Sequence, residues 1–154
     1  MGIYTESRSS CCFLIELNSL GIAPGYGLNT AFGEKATFTR ESGMTYKYDF
    51  CVYIGRFQPF HLGHLSTIKV ALEHSRTVLV ILGSHLKAPD IKNPWTSAER
   101  ERMILGSLSS DVHDRIRFIP IRDHLYSDNL WLTDIQQKVF EQVGGAAKVA
   151  IIGL

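Results

Sequence analysis

The stretch that decides the fold is Tyr53-Ile54-Gly55-Arg56-Phe57-Gln58-Pro59-Phe60-His61-Leu62-Gly63-His64. Residues 50–54 form an apolar run whose side chains would alternate between two faces, and an amphipathic run begins at Leu65, so we expect a strand that ends at Gly55 and a helix that starts near His64. A strand, a tight loop and a helix N-terminus offer close backbone approach, free N–H groups and the positive end of a helix dipole. Arg56 and the two histidines add donors in the same place. The stretch therefore predicts a phosphate site.

Strands and helices alternate along the rest of the chain. Residues 78–82 form a branched apolar run typical of a strand buried on both faces, and residues 116–121 and 149–152 indicate two more strands. Thr96, with Glu99 three residues later, predicts the capping box of a helix. Apolar residues at helical spacing mark three helices: Leu65, Ile68, Ala71 and Leu72, then Met103, Ile104 and Leu108, then Leu132, Ile135, Val139 and Val143. The pattern predicts an α/β fold with a parallel sheet, whose ligands bind beyond the carboxyl ends of the strands.

Composition limits the classes of protein that the chain can belong to. Its 154 residues, 45% of them hydrophobic, suffice for one domain with a core. The net charge is +1 with no basic run, which argues against nucleic acid as a partner, and the longest apolar run is too short to cross a membrane. The three cysteines, two of them adjacent, form neither a disulfide framework nor a metal-binding spacing. We expect a cytoplasmic protein.

The quoted stretch resembles the signature of the nucleotidylyltransferase superfamily, whose first motif is His-x-Gly-His or Thr-x-Gly-His after the first strand. Further stretches resemble the nicotinamide-nucleotide adenylyltransferase branch, in the form that bacteria often fuse to a Nudix hydrolase domain: Gly83-Ser84, Asn93-Pro94-Trp95-Thr96, Glu99-Arg100 and Tyr126-Ser127-Asp128-Asn129-Leu130-Trp131. The resemblance covers residues 46–153. It implies a Rossmann-like parallel sheet with flanking helices, of the nucleotidylyltransferase type.

The resemblance also implies a reaction, adenylyl transfer. The 5′-phosphate of nicotinamide mononucleotide would attack the α-phosphorus of ATP in line, pyrophosphate would leave, and NAD would form. A phosphate is already ionised at neutral pH, so positioning and charge stabilisation suffice for most of the catalysis. The expected partners are ATP and nicotinamide mononucleotide. Mg²⁺ is expected to arrive bound to ATP, since the aspartates show no spacing of a metal cage.

The family roles can be carried over residue by residue. His61 and His64 would hold the ATP phosphates, and Arg56 would bind the mononucleotide phosphate or bridge the two substrates. Trp131 would stack on the nicotinamide ring, with Asp128 as a polar partner for its carboxamide. The other implied substrate-binding residues are Gly55, Phe57 and Gln58 near the nucleotide, Gly83 and Ser84 after the second strand, Lys92, Asn93, Trp95 and Thr96 in the substrate loop, and Arg100 facing a phosphate.

Several of these residues have a plainer interpretation. The two histidines could bind a metal with a third ligand, or lie on the surface without a role. Trp95 and Trp131 could be core aromatics, and Lys92 an ordinary loop charge. Arg100 could pair with an adjacent glutamate, Glu99 or Glu101, on a solvated helix face.

Both ends of the chain carry their own expectations. Residues 1–45 show no sustained period, and the resemblance starts after them, so we expect a poorly ordered N-terminal extension followed by one domain over 46–154. The resemblance implies a second phosphate motif after the strand at 149–152, but the chain ends at Leu154. We therefore expect the last strand and helix of the fold to be missing.

Two hypotheses follow from that expectation. The chain is a nicotinamide mononucleotide adenylyltransferase, or it is an inactive or unstable fragment that keeps part of an adenine-nucleotide site. Pantetheine-phosphate and glycerol-phosphate nucleotidylyltransferases share the first motif, but residues 93–96 and Trp131 favour nicotinamide mononucleotide. Homo-oligomer formation, and the preference between the mononucleotide and its acid form, stay open.

Overall fold

The chain forms a five-stranded sheet with helices on both faces. The structure is a computed structural model that describes residues 45–124, 127–145 and 147–153, together with the backbone of 13–17. The strands are β1 (Phe13–Leu17), β2 (Tyr48–Gly55), β3 (Ser75–Leu82), β4 (Ile116–Pro120) and β5 (Val149–Gly153). The helices are α1 (Leu62–His74), α2 (Ser97–Gly106) and α3 (Asp128–Val143), with a 3₁₀ helix at Ser110–Arg115 before β4.

The order of the strands places the switch point of the sheet at β2. The order is β1-β5-β2-β3-β4, and β2 pairs in parallel with both β3 and β5. Val52 lies opposite Leu79 on one side and Ile151 on the other. In open α/β sheets, ligands bind outside the carboxyl ends of the strands at such a switch point. The predicted fold class, a Rossmann-like parallel sheet flanked by helices, is confirmed, and the quoted stretch lies at the switch point.

The alternation of β2 divides the core into two layers. Cys51 and Tyr53 pack with α1 and α2 on one face, while Val52 packs with α3 on the other. On the first face, α1 buries the predicted stripe at Ile68, Ala71 and Leu72. Each layer buries branched and aromatic side chains that the sheet presents in period two.

The predicted cap of α2 is present. The Thr96 N–H donates to Glu99 Oε2 at 2.8 Å, and the Glu99 N–H donates to Thr96 Oγ1 at 3.3 Å. These reciprocal bonds satisfy two backbone donors that the helix leaves unpaired. The helix ends at Gly106, so Leu108, which we expected inside it, lies beyond its end.

Helix α3 begins at Asp128, before the first residue of the predicted stripe, and its buried stripe differs by one residue. Ile135 and Val139 are buried as expected, but Leu132 is 49% exposed. Trp131 packs against the buried cluster in its place. Residues 131, 135 and 139 are four apart and share a helix face, whereas Leu132 is rotated away by about 100°.

Strand β1 was not predicted. It lies within the segment that we expected to be poorly ordered, and it pairs antiparallel with β5, with Ile15 opposite Ile151. The rest of that segment, residues 1–12 and 18–44, lies outside the described residues, so the domain boundary at 45/46 stays a prediction. Within the described residues, no helix is long and apolar enough to span a membrane.

Candidate functional site

The two histidines of the first motif cap the N-terminus of α1 reciprocally. The N–H groups of Gly63 and His64 donate to His61 Nδ1 at 3.2 and 3.4 Å, and the His61 N–H donates to His64 Nδ1 at 3.4 Å. We had predicted that free N–H groups of this helix would meet an anion. The structure corrects that detail, because two of those N–H groups bond to the His61 ring. His61 is exposed and His64 is half-buried, so the rings, rather than those N–H groups, are the candidate donors to an anion.

The capping bonds fix which ring nitrogen carries the proton. Since both Nδ1 atoms accept hydrogen bonds, each neutral ring must be protonated on Nε2. The rings of His61 and His64 stack with centroids 3.6 Å apart and planes 22° apart. Burial, and then the charge of His61, lower the pKa of His64 to about 4. At neutral pH, His64 therefore presents a neutral Nε2–H donor.

Phe57 packs against the His64 ring from the core of the domain. Its φ of 54° is in the left-handed region, and its side chain is only 1% exposed. The Phe57 ring contacts the rings of Tyr53 and His64 edge-on, at centroid distances of 5.2 and 4.9 Å. A Cβ on Gly55 would lie 2.8 Å from Phe57 Cζ, so only glycine leaves room for this ring. Phe57 thus supports the site from the core.

Gln58 ties the first loop to the loop between β3 and α2. Its Nε2 donates to the Trp95 carbonyl at 2.8 Å, and the Trp95 N–H donates to Gln58 Oε1 at 3.0 Å. Trp95 is half-buried beside this link. The amide of Gln58 therefore has both its groups bonded to the protein backbone, and Thr96 likewise uses its hydroxyl in the cap of α2.

Asn93 lies in a turn organised by Asp90. The Asp90 carboxylate accepts the N–H groups of Lys92 and Asn93 at 2.8 and 2.7 Å, and the Asn93 side-chain amide at 3.1 Å. Asn93 is 4% exposed, and its Oδ1 has no hydrogen-bond partner among the described residues. Lys92 is exposed. A buried acceptor without a partner is costly, which marks Asn93 as a candidate for ligand contact.

Arg100 is buried beneath the ends of β2 and β3. It is 1% exposed, and its Nη1 donates to the carbonyls of Arg56 and Gly83 at 2.7 Å each. Arg100 is therefore not on a solvated helix face, so the alternative that it pairs there with Glu99 or Glu101 is wrong. The phosphate contact implied for Arg100 stays a prediction, and its observed partners are backbone carbonyls of two other site residues.

Asp123 was not among the predicted site residues. It follows β4, and its two carboxylate oxygens accept the N–H and the hydroxyl of Ser84 at 3.1 and 2.6 Å. From the sequence, Asp123 was considered only as a member of a metal cage. The available signal was its position, since a polar residue just after a parallel strand lies at the ligand-binding edge of the sheet.

Trp131 and Asp128 lie on the face of the sheet opposite α1. Trp131 is half-buried and packs against the same buried cluster as Ile54, which lies near the carboxyl end of β2. Asp128 is exposed in the first turn of α3. Tyr126, which was part of the same motif, lies outside the described residues. The structure thus places these two residues at the same edge of the sheet as the histidines, but on the other face, and their predicted contacts with the nicotinamide stay predictions.

A cavity of about 520 Å³ lies between α3 and the segment that follows β4. It is lined mainly by polar and charged side chains: His85, Pro120, Arg122, His124, Leu130, Thr133, Asp134, Gln137 and Lys138. Within the described ranges, no group of three His, Cys, Asp or Glu side chains is placed to hold a metal ion.

Comparison with known proteins agrees with this geometry. The family described as cytidylyltransferase-like matches residues 52–123, which run from β2 to Asp123. This match and the relatives below support the assignment of the chain to the nucleotidylyltransferase superfamily, which the first motif predicted.

The relatives point to one branch of the superfamily. The nicotinamide/nicotinic acid mononucleotide adenylyltransferase of Acinetobacter baylyi is 44% identical over 108 residues, 70% of this chain and 57% of the relative. The nicotinamide-nucleotide adenylyltransferase of Saccharolobus solfataricus is 44% identical over 82 residues, 52% of this chain and 47% of the relative. The chain therefore spans about half the length of the curated relatives it matches.

A solved structure shares the fold. The bifunctional NMN adenylyltransferase/ADP ribose pyrophosphatase of Francisella tularensis, complexed with AMP and a Mn ion, matches with a TM-score of 0.63 and 36% identity. The match covers 68% of this chain and 31% of that protein.

Proposed function

We propose that this chain carries a nicotinamide mononucleotide adenylyltransferase site, which transfers AMP from ATP to nicotinamide mononucleotide and releases pyrophosphate. The observation that carries the proposal is the reciprocal cap of His61 and His64, which uses both Nδ1 atoms and leaves the two Nε2–H groups as donors at the positive end of α1. The named relatives support the choice of substrates.

The chemistry needs donors more than it needs a base. An oxygen of the mononucleotide phosphate forms a bond to the α-phosphorus of ATP, and the bond from that phosphorus to the β-phosphate oxygen breaks. Negative charge accumulates on the transferring group and on the departing pyrophosphate, where His61 and His64 would donate hydrogen bonds. A neutral His64 can donate without first taking up a proton.

Arg56 is the proposed ligand for the mononucleotide phosphate. It directly follows Gly55 at the carboxyl end of β2, and its side chain is exposed. A guanidinium binds phosphate oxygens in a bidentate manner that also orients them. Arg56 would thus fix the attacking phosphate while the histidines hold ATP.

The remaining roles come from the resemblance and the placement of the residues. Half-buried Trp131 would stack on the nicotinamide ring, with Asp128 at the carboxamide, while Asn93 Oδ1 would accept a hydrogen bond from substrate. A divalent cation, Mg²⁺, would enter bound to the ATP phosphates and neutralise their charge. The Mn ion in the Francisella tularensis complex supports the use of a divalent metal.

The test is product formation by the purified protein. Nicotinamide mononucleotide, ATP and Mg²⁺ are incubated with it, and NAD and pyrophosphate are quantified by chromatography. We expect equimolar NAD and pyrophosphate. We expect no product when pantetheine phosphate replaces nicotinamide mononucleotide, or when glycerol phosphate and CTP replace both substrates. The acid form of the mononucleotide, assayed in parallel, gives the substrate preference.

The assay is repeated with the coding region extended past Leu154, because this chain spans about half of its relatives. Product from the extended protein alone would place part of the site outside this chain. Absence of NAD from both proteins would contradict the proposed reaction.

A further inference from the structure

We propose that Arg100 and Asp123 are positioning residues that hold Arg56 in place through the turn at Gly83–Ser84. The inference rests on the proposed function, because it deepens the role of Arg56 as the ligand for the mononucleotide phosphate. Neither Arg100 nor Asp123 needs to touch substrate. They act on the backbone beneath Arg56.

The side chain of Arg56 lies against the turn that follows β3. A Cβ added to Gly83 would lie 3.5 Å from Arg56 Cγ and 3.7 Å from the Gly55 carbonyl oxygen. The backbone of Gly83 therefore packs against the aliphatic part of the Arg56 side chain. The Gly83 N–H also donates to the Gly55 carbonyl at 2.9 Å, so the turn is bonded to the residue just before Arg56.

Arg100 joins the two sides of this contact with one nitrogen atom. Its Nη1 donates to the carbonyls of Arg56 and Gly83, each at 2.7 Å. Its other donors bind the start of α2, where Nε bonds to the Thr96 carbonyl at 3.3 Å and Nη2 to Ser97 Oγ at 3.1 Å. The guanidinium thus locks Arg56 and Gly83 to the first turn of a helix.

The environment of Arg100 suits positioning better than general stabilisation. It is 1% exposed, and no carboxylate forms an ion pair with it in the part of the chain that the structure describes. Burial lowers the pKa of the Arg100 guanidinium, and the carboxylates of Asp123 and Glu101 offset part of that shift. Burying a charge that has no ion pair is costly, and an apolar side chain of similar size would fill the same space at less cost. Arginine is favoured here for its geometry, because only its planar guanidinium reaches the three backbone carbonyls and the Ser97 hydroxyl at the same time.

Asp123 holds the other half of the turn. Ser84 has a φ of 55°, a conformation that non-glycine residues rarely adopt, and it is 5% exposed. One carboxylate accepts both its N–H, at 3.1 Å, and its hydroxyl, at 2.6 Å. Because Asp123 belongs to the segment after β4, the strained turn is held from a third strand end.

The consequence for Arg56 is that its position is fixed before a ligand binds. An arginine side chain that is already ordered loses less entropy when it binds a phosphate. A displacement of about 1 Å in a positioning group can lower a rate by up to about 10²-fold. Loss of Asp123 or Arg100 should therefore weaken use of the mononucleotide while these residues stay remote from the reacting atoms.

The test for Asp123 is a double-mutant cycle with Ser84. Glycine adopts a φ of 55° without strain, so Ser84→Gly removes the need for the carboxylate. We expect Asp123→Ala to lower kcat/KM for nicotinamide mononucleotide about tenfold in the Ser84 protein, and at most about threefold in the Ser84→Gly protein. Asp123→Asn, which keeps one acceptor, should show the same pattern with smaller losses. Equal losses in both backgrounds would overturn the proposal.

The matched control is Asp114→Ala. Asp114 is an exposed aspartate in the 3₁₀ helix before β4, at the opposite end of that strand. Its replacement should leave kcat/KM and the unfolding temperature unchanged. Arg100→Lys keeps the charge but lacks the fork, and we expect it to lower kcat/KM about tenfold or more; a wild-type value would remove Arg100 from the proposal.

A second readout does not depend on the reaction. The ¹⁵N relaxation of the Arg56 Nε–H group reports the order of its side chain in the ligand-free protein. We expect Asp123→Ala to lower that order parameter in the Ser84 background and to leave it nearly unchanged in the Ser84→Gly background. An order parameter unaffected by Asp123→Ala would overturn the proposal, whereas an inactive wild-type protein with the expected relaxation pattern would contradict the proposed function alone.

Discussion

The loop between β2 and α1 and the loop between β3 and α2 meet at the same edge of the sheet, yet they are built differently. In the first, residues 56–61, Phe57 is buried and the histidine at its end is fixed by mutual capping bonds. The second, residues 83–96, is bonded at both ends but exposed between them, where Leu86 and Ile91 are 67% and 101% exposed. The first loop therefore holds its histidine in a fixed position, whereas the second is held at its two ends and exposed between them.

The difference has a physical basis in how each loop satisfies its own groups. The first loop packs aromatic rings in contact, so the position of each ring depends on its neighbours. The second uses short-range turns, such as the bonds around Asp90, and distant anchors at Asp123 and Gln58. Donors that stabilise charge in the transition state must be preorganised, so they suit the tightly packed first loop. Residues that adapt to a bound substrate suit the more exposed second loop.

The largest expected effect tests the preformed loop directly. His64→Ala should lower kcat for NAD formation about 10²–10³-fold, since it removes a donor to the developing charge. The His61 ring still accepts the Gly63 N–H in this variant, so α1 should remain folded by circular dichroism. His74→Ala, at the other end of the same helix, is the control and should keep its rate. A near-normal rate for His64→Ala would remove the histidine from the mechanism.

A second prediction concerns the packing beneath that donor. Gly55→Ala would bring a Cβ within 2.8 Å of the Phe57 ring, so we expect a loss of about 1–3 kcal/mol in the free energy of unfolding, together with reduced activity. Gly106→Ala is the matched change, because no atom lies within 4 Å of its added Cβ. That control should be neutral or slightly stabilising. Equal stability of the two variants in urea would refute the packing described for Phe57.

The pH dependence of stability gives a third prediction. The pKa of His64 in the folded protein, about 4, is below its ordinary value of 6.5, so between these values the unfolded chain binds a proton that the folded chain does not. The contribution of His64 to the free energy of unfolding should therefore fall as the pH decreases from about 6.5 to about 4. His64→Gln should reduce this dependence. The comparison uses urea unfolding at several pH values, and identical slopes for both proteins would contradict the lowered pKa.

The smallest expected effect concerns the anchor of the second loop. Thr96→Ala removes the N-cap of α2 and should cost about 1 kcal/mol in the free energy of unfolding. Thr133→Ala, the same change inside α3, should be neutral or slightly stabilising because alanine has the higher helix propensity. If both variants unfold at the wild-type urea concentration, the cap does not anchor the loop.

Local features of the site could be predicted from the sequence. The strand, loop and helix around Gly55 follow from hydrophobic period and glycine, and the cap at Thr96 follows from the spacing to Glu99. These features depend on residues a few positions apart. The sequence therefore predicted the class of fold, and the strand, loop and helix of the candidate phosphate site, without any knowledge of tertiary contacts.

Long-range features could not be predicted in the same way. Arg100 bonds to a carbonyl 44 residues away, and Asp123 to a serine 39 residues away. In the sequence, a buried arginine on a helix looks the same as one on a solvated face. Leu132 and Trp131 are adjacent apolar residues, and the rotation of α3 against the sheet decides which of them is buried.

The central claim is that the loop between β2 and α1 is a preformed phosphate site whose histidines act as Nε2–H donors. The most direct measurement is a long-range ¹H–¹⁵N correlation spectrum of the histidine rings at pH 7, without and with ATP and Mg²⁺. We predict that His61 and His64 are protonated on Nε2 in both samples and that ATP shifts their signals, while the signals of His74 stay in place. A proton on Nδ1 of either ring in the free protein, or signals that do not respond to ATP, would contradict the account.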